Sequence, residues 1–393
     1  KEFVCISKPI LLFEETPIRI KGIGNTKNAQ VNMSQGFNLL YNKVDNTDFT
    51  YEIKNTKVAT VDKTTGKITS VKKGKTSLTV TDKISGQTTS ADVYVLGADD
   101  ITFPQILSNN YATLTLKSNG EIWSYGYNGY GQLGTGTTQS ETEFKQVTGI
   151  PEKVIAITAN VHTSYALTES GKVYGWGYNY YGQLGINNNA DQTTPVRMQK
   201  VSNIIQISAG DSYITMLDAN GSVWNVGYNG NGQFGVNNYT TYYLPQQMKT
   251  EDGNGILQNI KKVSAGATHT IVLSDDGTAY ATGYNGYGQL GIGDTTTKIL
   301  PTKMIDTEGN VVTRIKDIEA NGYSSMVSVK PTTTTDTTGN QTTTAGIYIA
   351  GYNNYGQLYT KNAVSRTNLT KVQEDKNIIT MQAQKIHHIK HQQ

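Results

Sequence analysis

One phrase, Gly-Tyr-Asn-x-x-Gly-Gln, constrains the fold of this chain more than any other feature. Its five copies open at intervals of 51, 50, 56 and 68 residues, at Gly126, Gly177, Gly227, Gly283 and Gly351. Two runs of alternating apolar residues precede the phrase, as in 157–167 and 170–177. This alternation is the period of a strand with one buried face. A unit of about 50 residues with some four short strands, repeated without helical periodicity, predicts the blades of a β-propeller.

Turn signals and aromatic residues recur at fixed places in the unit. Tight hairpin turns with positive φ are predicted where a polar residue followed by glycine separates the two apolar runs. These dipeptides are Asn119-Gly120, Ser170-Gly171, Asn220-Gly221 and Asp276-Gly277. An aromatic residue, which predicts packing between sheets, stands three residues before each anchoring glycine, at Trp123, Tyr174, Trp224, Tyr280 and Tyr348.

The order Ala-Gly-x-x-His-Thr, Gly-x-Val-Tyr-x-Trp-Gly and Asn-x-x-Gly-Gln-Leu-Gly resembles the repeat of the regulator of chromosome condensation family. Residues 157–185 and 263–293 follow it almost position for position. The resemblance implies a propeller that in this family usually closes with seven blades. Residues 379–383 look like the first strand of a sixth blade, whereas the tail after Ala383 abandons the alternation. We therefore expect residues 101–393 to form an incomplete or truncated propeller of five recognisable blades plus a partial sixth.

A smaller domain precedes the repeats. Short alternating segments separated by glycine-containing turns predict a β-sandwich in residues 18–96. The series Val-Ala-Thr-Val-Asp, Gly-Lys-Ile-Thr-Ser-Val and Gly-Lys-Thr-Ser-Leu-Thr-Val resembles the group 2 bacterial immunoglobulin-like domain, with Tyr51 in place of the tryptophan of that family. The resemblance implies a spacer or adhesive module of an exported protein. Residues 1–17 are interpreted as an N-terminal extension or the remnant of a preceding domain, and 97–100 as a linker.

Charge and hydropathy bear on the partners. Residues 18–96 carry 12 basic and 6 acidic side chains, whereas the rest of the chain after residue 96 carries 20 basic and 22 acidic ones. The repeats thus lack the basic surplus of a nucleic-acid-binding surface, and we expect no nucleic-acid partner. No apolar run approaches the ~18 residues of a membrane helix, so we expect no direct membrane insertion. The one cysteine, Cys5, cannot form an internal disulfide.

The sequence contains no recognisable catalytic or metal-binding constellation. His269 occupies a repeat position where we expect a hydrogen bond within its own blade, and His162 stands one place earlier in its copy. Asp275-Asp276 fits a turn and Asp99-Asp100 a linker. No Cys-x-x-Cys, His-Glu-x-x-His or Gly-x-Ser-x-Gly is present. We expect no catalytic residue, no metal and no cofactor.

Tyrosines are the candidate partner-binding residues. One follows each anchoring glycine, at Tyr127, Tyr178, Tyr228, Tyr284 and Tyr352, and a second lies three residues on, at Tyr130, Tyr181, Tyr287 and Tyr355. If the copies are blades, these residues form a ring at one rim. Such a ring suits protein or sugar ligands, but it equally suits packing of blade against blade. Because a binding surface usually breaks a repeat, the single-copy Tyr239, Tyr242 and Tyr243 are equally good candidates.

The expected function is a non-catalytic binding module of an exported bacterial surface or secreted protein. Its propeller would bind a protein or glycan, presented by the immunoglobulin-like domain. Three alternatives stay open: an inhibitor that caps a secreted enzyme, an intracellular guanine-nucleotide exchange factor-like regulator, and a structural surface scaffold. A cluster of single-copy aromatic residues would favour binding over scaffold. The threonine-rich run 331–344 is expected to be a mobile loop insertion.

Overall fold

A computed structural model describes residues 10–13, 28–30, 49–63, 67–72, 74–82, 88–96, 102, 104–108, 111–329, 333–335, 341–343, 346–358, 360 and 362–372. These residues form 29 strands and no helix, which confirms the predicted all-β class. Accordingly, no helix in this part of the chain is long and apolar enough to cross a membrane. The predicted linker 97–100 and the predicted sixth-blade strand 379–383 lie outside the described residues.

The first seven strands form two sheets. They are β1 (Ile10–Phe13), β2 (Asn28–Gln30), β3 (Phe49–Ile53), β4 (Ala59–Val61), β5 (Lys67–Ser70), β6 (Gly74–Asp82) and β7 (Thr88–Leu96). One sheet has the order β1-β7-β6-β3, and the other has the order β2-β5-β4. Alternation along β3 buries Tyr51 and Ile53 while Glu52 is exposed. Ile68 and Leu78, one from each sheet, are fully buried, as expected for a sandwich core.

The four-stranded sheet includes a strand that the sequence-based boundary at residue 18 left out. Strand β1 pairs in parallel with β7, from Ile10 opposite Val93 to Phe13 opposite Leu96. The apolar run of β1 thereby supplies hydrogen-bonding partners for an edge of β7 that would otherwise be open. Residues 10–13 are therefore part of this sheet.

The repeats form five sheets of four antiparallel strands. Blade 1 comprises β8 (Gln105–Ser108), β9 (Ala112–Leu116), β10 (Ile122–Gly126) and β11 (Glu141–Val147). Blade 2 comprises β12 (Val154–Ala159), β13 (Thr163–Thr168), β14 (Val173–Gly177) and β15 (Gln192–Arg197). Blade 3 comprises β16 (Ile204–Ala209), β17 (Tyr213–Asp218), β18 (Val223–Gly227) and β19 (Tyr242–Gln247). Blade 4 comprises β20 (Ile260–Ala265), β21 (His269–Ser274), β22 (Ala279–Gly283) and β23 (Lys298–Lys303).

Blade 5 carries the threonine-rich insertion. Its strands are β24 (Ile315–Asn321), β25 (Ser324–Val329), β28 (Gly346–Gly351) and β29 (Arg366–Lys371). Between β25 and β28 lie β26 (Thr333–Thr335) and β27 (Gln341–Thr343), which pair with each other. The insertion, predicted as a loop, thus contains a short hairpin, because consecutive β-branched threonines favour extended backbone.

In blades 1 to 4 the strands form a meander whose central turn follows the predicted pattern. The glycine of each dipeptide adopts positive φ: 86° at Gly120, 79° at Gly171, 81° at Gly221 and 88° at Gly277. These turns lie at the end of the blade opposite the Gly-Tyr-Asn phrases, since the second strand starts beside the phrase and ends at the turn.

Neighbouring blades share cores and hydrogen bonds. Trp176 of blade 2 is fully buried in one cluster with Leu114 and Leu116 of blade 1. The first strands of successive blades are also linked: Thr158 Oγ1 accepts a hydrogen bond from Ala209 N at 3.2 Å. The same link recurs from blade 3 to 4 and from blade 4 to 5, at Ser208–Ala265 and Ser264–Ala320. This series places the first strands beside a common axis, the arrangement of a propeller.

Candidate functional site

A buried asparagine organises each Gly-Tyr-Asn loop. In blade 2, Asn179 Nδ2 donates to the carbonyl oxygens of Asn188 and Ala190, both at 3.0 Å. Its Oδ1 accepts from Leu184 N at 2.9 Å. All five equivalents are fully buried: Asn128, Asn179, Asn229, Asn285 and Asn353. The loop is thereby fixed from inside, so its tyrosines project from a rigid support.

The first tyrosine of each loop lies beside the loop that joins the first two strands of its blade, which we call the axis loop. In blade 2, Tyr178 N donates to His162 O at 2.9 Å. The preceding Gly177 has a φ of 97°, and a Cβ atom there would clash with that carbonyl oxygen. Only glycine therefore allows this approach. The same backbone bond occurs in the other blades, at Tyr127–Tyr111, Tyr228–Ser212, Tyr284–Thr268 and Tyr352–Tyr323.

The second tyrosine of one blade contacts the first tyrosine of the next. Ring centroids are 5.0 Å apart for Tyr130 and Tyr178, across the junction of blades 1 and 2. The equivalent distances are 5.0 Å at the next junction and 4.8 Å between blades 4 and 5, for Tyr181–Tyr228 and Tyr287–Tyr352. The repeated tyrosines thus pack blade against blade, which is one of the two roles considered from the sequence. They remain partly exposed, so this packing leaves an aromatic surface.

Axis loops add aromatic residues that the sequence interpretation did not select. The His162 ring lies 4.7 Å from the Tyr130 ring and is stacked on Tyr111 at 6.2 Å. Tyr323 contacts the rings of Tyr284 and Tyr287. An alignment of the residue that directly precedes the second strand of each blade would have revealed this set. Its members are Tyr111, His162, Ser212, Thr268 and Tyr323.

The aromatic surface is interrupted between blades 3 and 4. Asn231 replaces the second tyrosine of blade 3, and Thr268 occupies the axis loop of blade 4. The ring contacts therefore fall into two arcs, which together we call the tyrosine face. The first arc is Tyr111, Tyr127, Tyr130, His162, Tyr178, Tyr180, Tyr181 and Tyr228, and the second is Tyr284, Tyr287, Tyr323, Tyr352 and Tyr355.

Tyr180 breaks the repeat within the first arc. Blades 1, 3 and 4 have glycine at this place, and a Cβ atom on any of these glycines would clash with the hydroxyl of the first tyrosine. In blade 2 the Tyr178 ring instead stacks on Tyr180, with an interplanar angle of 13°. Tyr180 is 58% exposed. The doubled tyrosine of Gly-Tyr-Asn-Tyr-Tyr was the sequence signal for this residue.

The three single-copy candidates differ in role. Tyr243 is 42% exposed and lies against Gly182, beside the first arc. Tyr239 is 53% exposed on the loop before β19. Tyr242 is part-buried: its ring stacks on Phe234, and its hydroxyl accepts a hydrogen bond from Asn238 at 3.0 Å. The structure therefore brings Tyr243 to the tyrosine face and gives Tyr242 a packing contact.

The hydroxyl of Tyr178, in the middle of the first arc, is uncharged at neutral pH. Burial, together with the neighbouring phenols of Tyr181 and Tyr130, raises the pKa of Tyr178. Its hydroxyl therefore stays protonated, able to donate and to accept hydrogen bonds. A surface of aromatic rings with polar tips can bind apolar groups and orient hydroxyl, amide or charged partners at its edges.

His269 has a structural role, although its hydrogen bond differs from the expected one. Its Nε2 lies 3.0 Å from Ser325 Oγ in blade 5, rather than bonding within blade 4. The Ser325 hydroxyl donates to Gln289 O at 2.6 Å, so His269 Nε2 is the donor to Ser325. Burial lowers the pKa of His269 to about 4, which keeps the ring neutral.

No metal-binding arrangement is found in the described part of the chain, where no three His, Cys, Asp or Glu side chains come together. Asp276 stabilises a turn, as predicted, because its carboxylate accepts a hydrogen bond from Thr278 N at 2.8 Å. Asp99-Asp100 lies outside the described residues.

Two family models match the chain. The RCC1-like domain matches residues 73–391, and the bacterial Ig-like domain (group 2) matches residues 16–93. Both agree with the resemblances seen in the sequence.

Individual relatives match the repeats. The Ultraviolet-B receptor UVR8 of Arabidopsis thaliana is 29% identical over 272 residues, which are 67% of this chain and 57% of the receptor. The chain therefore spans little more than half of that relative. The structure of human WBSCR16 superposes with a TM-score of 0.57 at 19% identity, over 69% of this chain and 68% of that one. Prp20p of Saccharomyces cerevisiae, described together with its binding to Gsp1p and histones, gives 0.55 at 19% identity, over 70% and 64%. At these identities the two structures support the fold alone.

Proposed function

This chain belongs to the RCC1-like domain family, and we propose that the tyrosine face of its propeller is the docking surface for a protein or glycan partner. The observation that carries the proposal is the group of tyrosines in blades 2 and 3 that break the repeat. Tyr180 and Tyr243 are both exposed. The Tyr180 ring contacts the Tyr181 ring, and Tyr243 lies against the adjacent Gly182. The repeated tyrosines are explained by blade packing, whereas Tyr180 replaces a glycine of the other blades and is more than half exposed. Single-copy aromatic residues favour binding over a scaffold role.

The tyrosine face is preorganised for binding. The loops beneath the rings are held by buried asparagines, so little conformational entropy is lost on docking. Tyrosine offers a large apolar area with a polar tip and only two rotatable bonds. The rings of the first arc already contact one another, which limits their motion further.

The proposal includes an exported bacterial surface or secreted protein as the setting. The neighbouring bacterial Ig-like domain supports this location, because such domains are typical of extracellular proteins. In this setting the immunoglobulin-like domain acts as a spacer, and the propeller carries the specificity. A secreted enzyme, capped and inhibited by the propeller, is one kind of protein partner that this surface would suit.

The test uses the full chain and two probes: a displayed library of random dodecapeptides and an array of oligosaccharides. Selected binders are titrated against the wild type and against Tyr180→Gly, which carries the residue found in blades 1, 3 and 4. Tyr125→Ser is the matched control, since Tyr125 is exposed but lies on the opposite face of blade 1 from the blade 2 contact, beside Phe144. We expect Tyr180→Gly to weaken binding about tenfold. Equal affinities for the wild type and Tyr180→Gly would contradict the proposal.

A further inference from the structure

One carboxylate lies among the axis loops of the tyrosine face. Asp211 is exposed in the axis loop between β16 and β17. Its backbone nitrogen donates to Ala267 O at 3.1 Å, and Ala267 N in turn donates to Gly322 O at 2.8 Å. The axis loops of blades 3, 4 and 5 are thus linked in series, with Asp211 at the start of the series.

The charge of Asp211 influences the pKa of one residue in each of the two following blades. Burial raises the pKa of Tyr323 in blade 5, and the charge of Asp211 raises it further. Burial lowers the pKa of His269 in blade 4, and Asp211 is among the groups that oppose this change. These directions agree with the backbone hydrogen bonds, which place the loop of Asp211 next to the axis loop of blade 4 and, through it, the axis loop of blade 5.

Asp211 is also the only charged residue in these loops. The five Gly-Tyr-Asn loops span 126–132, 177–183, 227–233, 283–289 and 351–357, and the described axis loops span 160–163, 210–213, 266–269 and 321–324. Apart from Asp211 they contain no Asp, Glu, Lys or Arg. The corresponding residues of blades 2, 4 and 5 are Val161, Ala267 and Gly322. Asp211 thus breaks the repeat as Tyr180 does, and it lies beside the polar interruption between the two arcs.

We propose that the partner is a protein whose docking segment places a lysine or arginine side chain against Asp211, with apolar neighbours on the first arc. This rests on the proposed function of the tyrosine face. Asp211 gives the face a negative charge, and a partner whose charges complement those of the surface is favoured over one that is neutral or acidic there. A basic side chain supplies the complementary charge, and a guanidinium can also stack on a tyrosine ring. A neutral sugar supplies hydrogen bonds but no compensating charge.

The test takes dodecapeptides selected against the full chain and measures each with Asp211→Asn. Asp275→Asn is the matched control, because Asp275 is exposed at the central turn of blade 4, at the opposite end of the blade. We expect the selected peptides to share a Lys or Arg, and Asp211→Asn to weaken them about tenfold. Replacing that peptide residue by Gln should cause the same loss, with no further loss in the double change. Added salt should weaken the wild-type complex more than the Asp211→Asn complex.

The outcomes separate this inference from the proposed function. Peptides that are weakened by Tyr180→Gly but not by Asp211→Asn would overturn the charge pairing and leave the docking face intact. Binders indifferent to both variants, or no binders at all, would contradict the docking face itself. Recovery of neutral oligosaccharides alone would overturn the protein partner while keeping the face.

Discussion

The ring of Tyr130 in blade 1 lies against the ring of Tyr178 in blade 2, with 5.0 Å between their centroids. This edge-to-face contact joins two blades and at the same time forms part of an exposed aromatic surface. Substitutions in the tyrosine face therefore fall into two classes. Substitutions at the repeated positions should change stability, whereas substitution of Tyr180 should change binding with little effect on the fold.

The buried asparagine of each loop should be essential to stability. Asn179→Ala removes four hydrogen bonds and leaves the carbonyl oxygens of Asn188 and Ala190 without their donor. We expect a loss of about 2–4 kcal/mol in the free energy of unfolding, measured by urea denaturation. Asn189→Ala, on the exposed part of the same loop, is the control and should change it by less than about 0.5 kcal/mol. Similar losses in both variants would contradict the role of Asn179.

The junction of blades 1 and 2 should depend on Trp176 for both packing and polarity. Trp176→Ala leaves a cavity between Leu114 and Ile157, and we expect it to cost about 3–5 kcal/mol. Trp176→Phe keeps most of the apolar contact but loses the hydrogen bond from Nε1 to Gln132 O, which measures 2.9 Å. Its cost should be smaller, about 1–3 kcal/mol. Chemical denaturation of both variants tests this order, and a larger loss for Trp176→Phe would refute it.

Stability should fall on mild acidification because of His269. Its pKa of about 4 in the folded protein lies below the usual 6.5, so the unfolded chain takes up the proton first as the pH falls. The contribution is fully present above pH 6.5 and is lost progressively towards pH 4. Between pH 7 and pH 5 it amounts to about 2 kcal/mol. His269→Gln, which retains a donor for Ser325, should flatten this part of the pH profile of unfolding, and an unchanged slope would argue against it.

A tyrosine introduced at the interruption between blades 3 and 4 should stabilise that junction. Asn231→Tyr restores the second tyrosine of the repeat beside Tyr284, as Tyr287 stands beside Tyr352. An added edge-to-face pair should raise the free energy of unfolding by about 0.5–1 kcal/mol. Thermal unfolding compares this variant with Asn254→Tyr, an exposed position on the hairpin after β19. Destabilisation by Asn231→Tyr would mean that Asn231 is itself needed at the junction.

Local patterns predicted most of the architecture. The blades, their turns at glycines such as Gly171, and the burial of Ile68 follow from alternation and turn chemistry, which depend on residues close in sequence. The pairing of β1 with β7 connects residues some eighty positions apart, and no local pattern encodes it. The predicted domain, which begins at residue 18, therefore does not include β1.

The site was predicted less completely, for a similar reason. The repeated tyrosines were visible because they recur with the anchoring glycine. His162 and Tyr323 belong to a different loop, and their contact with those tyrosines exists only once two blades are packed together. The sequence also left open whether the tyrosines pack or bind, because ring contacts and exposure are both tertiary properties.

The most direct test of the docking surface is chemical footprinting of tyrosines by iodination, with and without a bound peptide selected against the full chain. Mass spectrometry would compare the modification rates of Tyr180 and Tyr243 with that of Tyr125, all exposed in the free protein. We predict that the ligand slows modification of Tyr180 and Tyr243 several-fold and leaves Tyr125 unchanged. Protection of Tyr125 with continued reactivity of Tyr180 and Tyr243 would contradict the account.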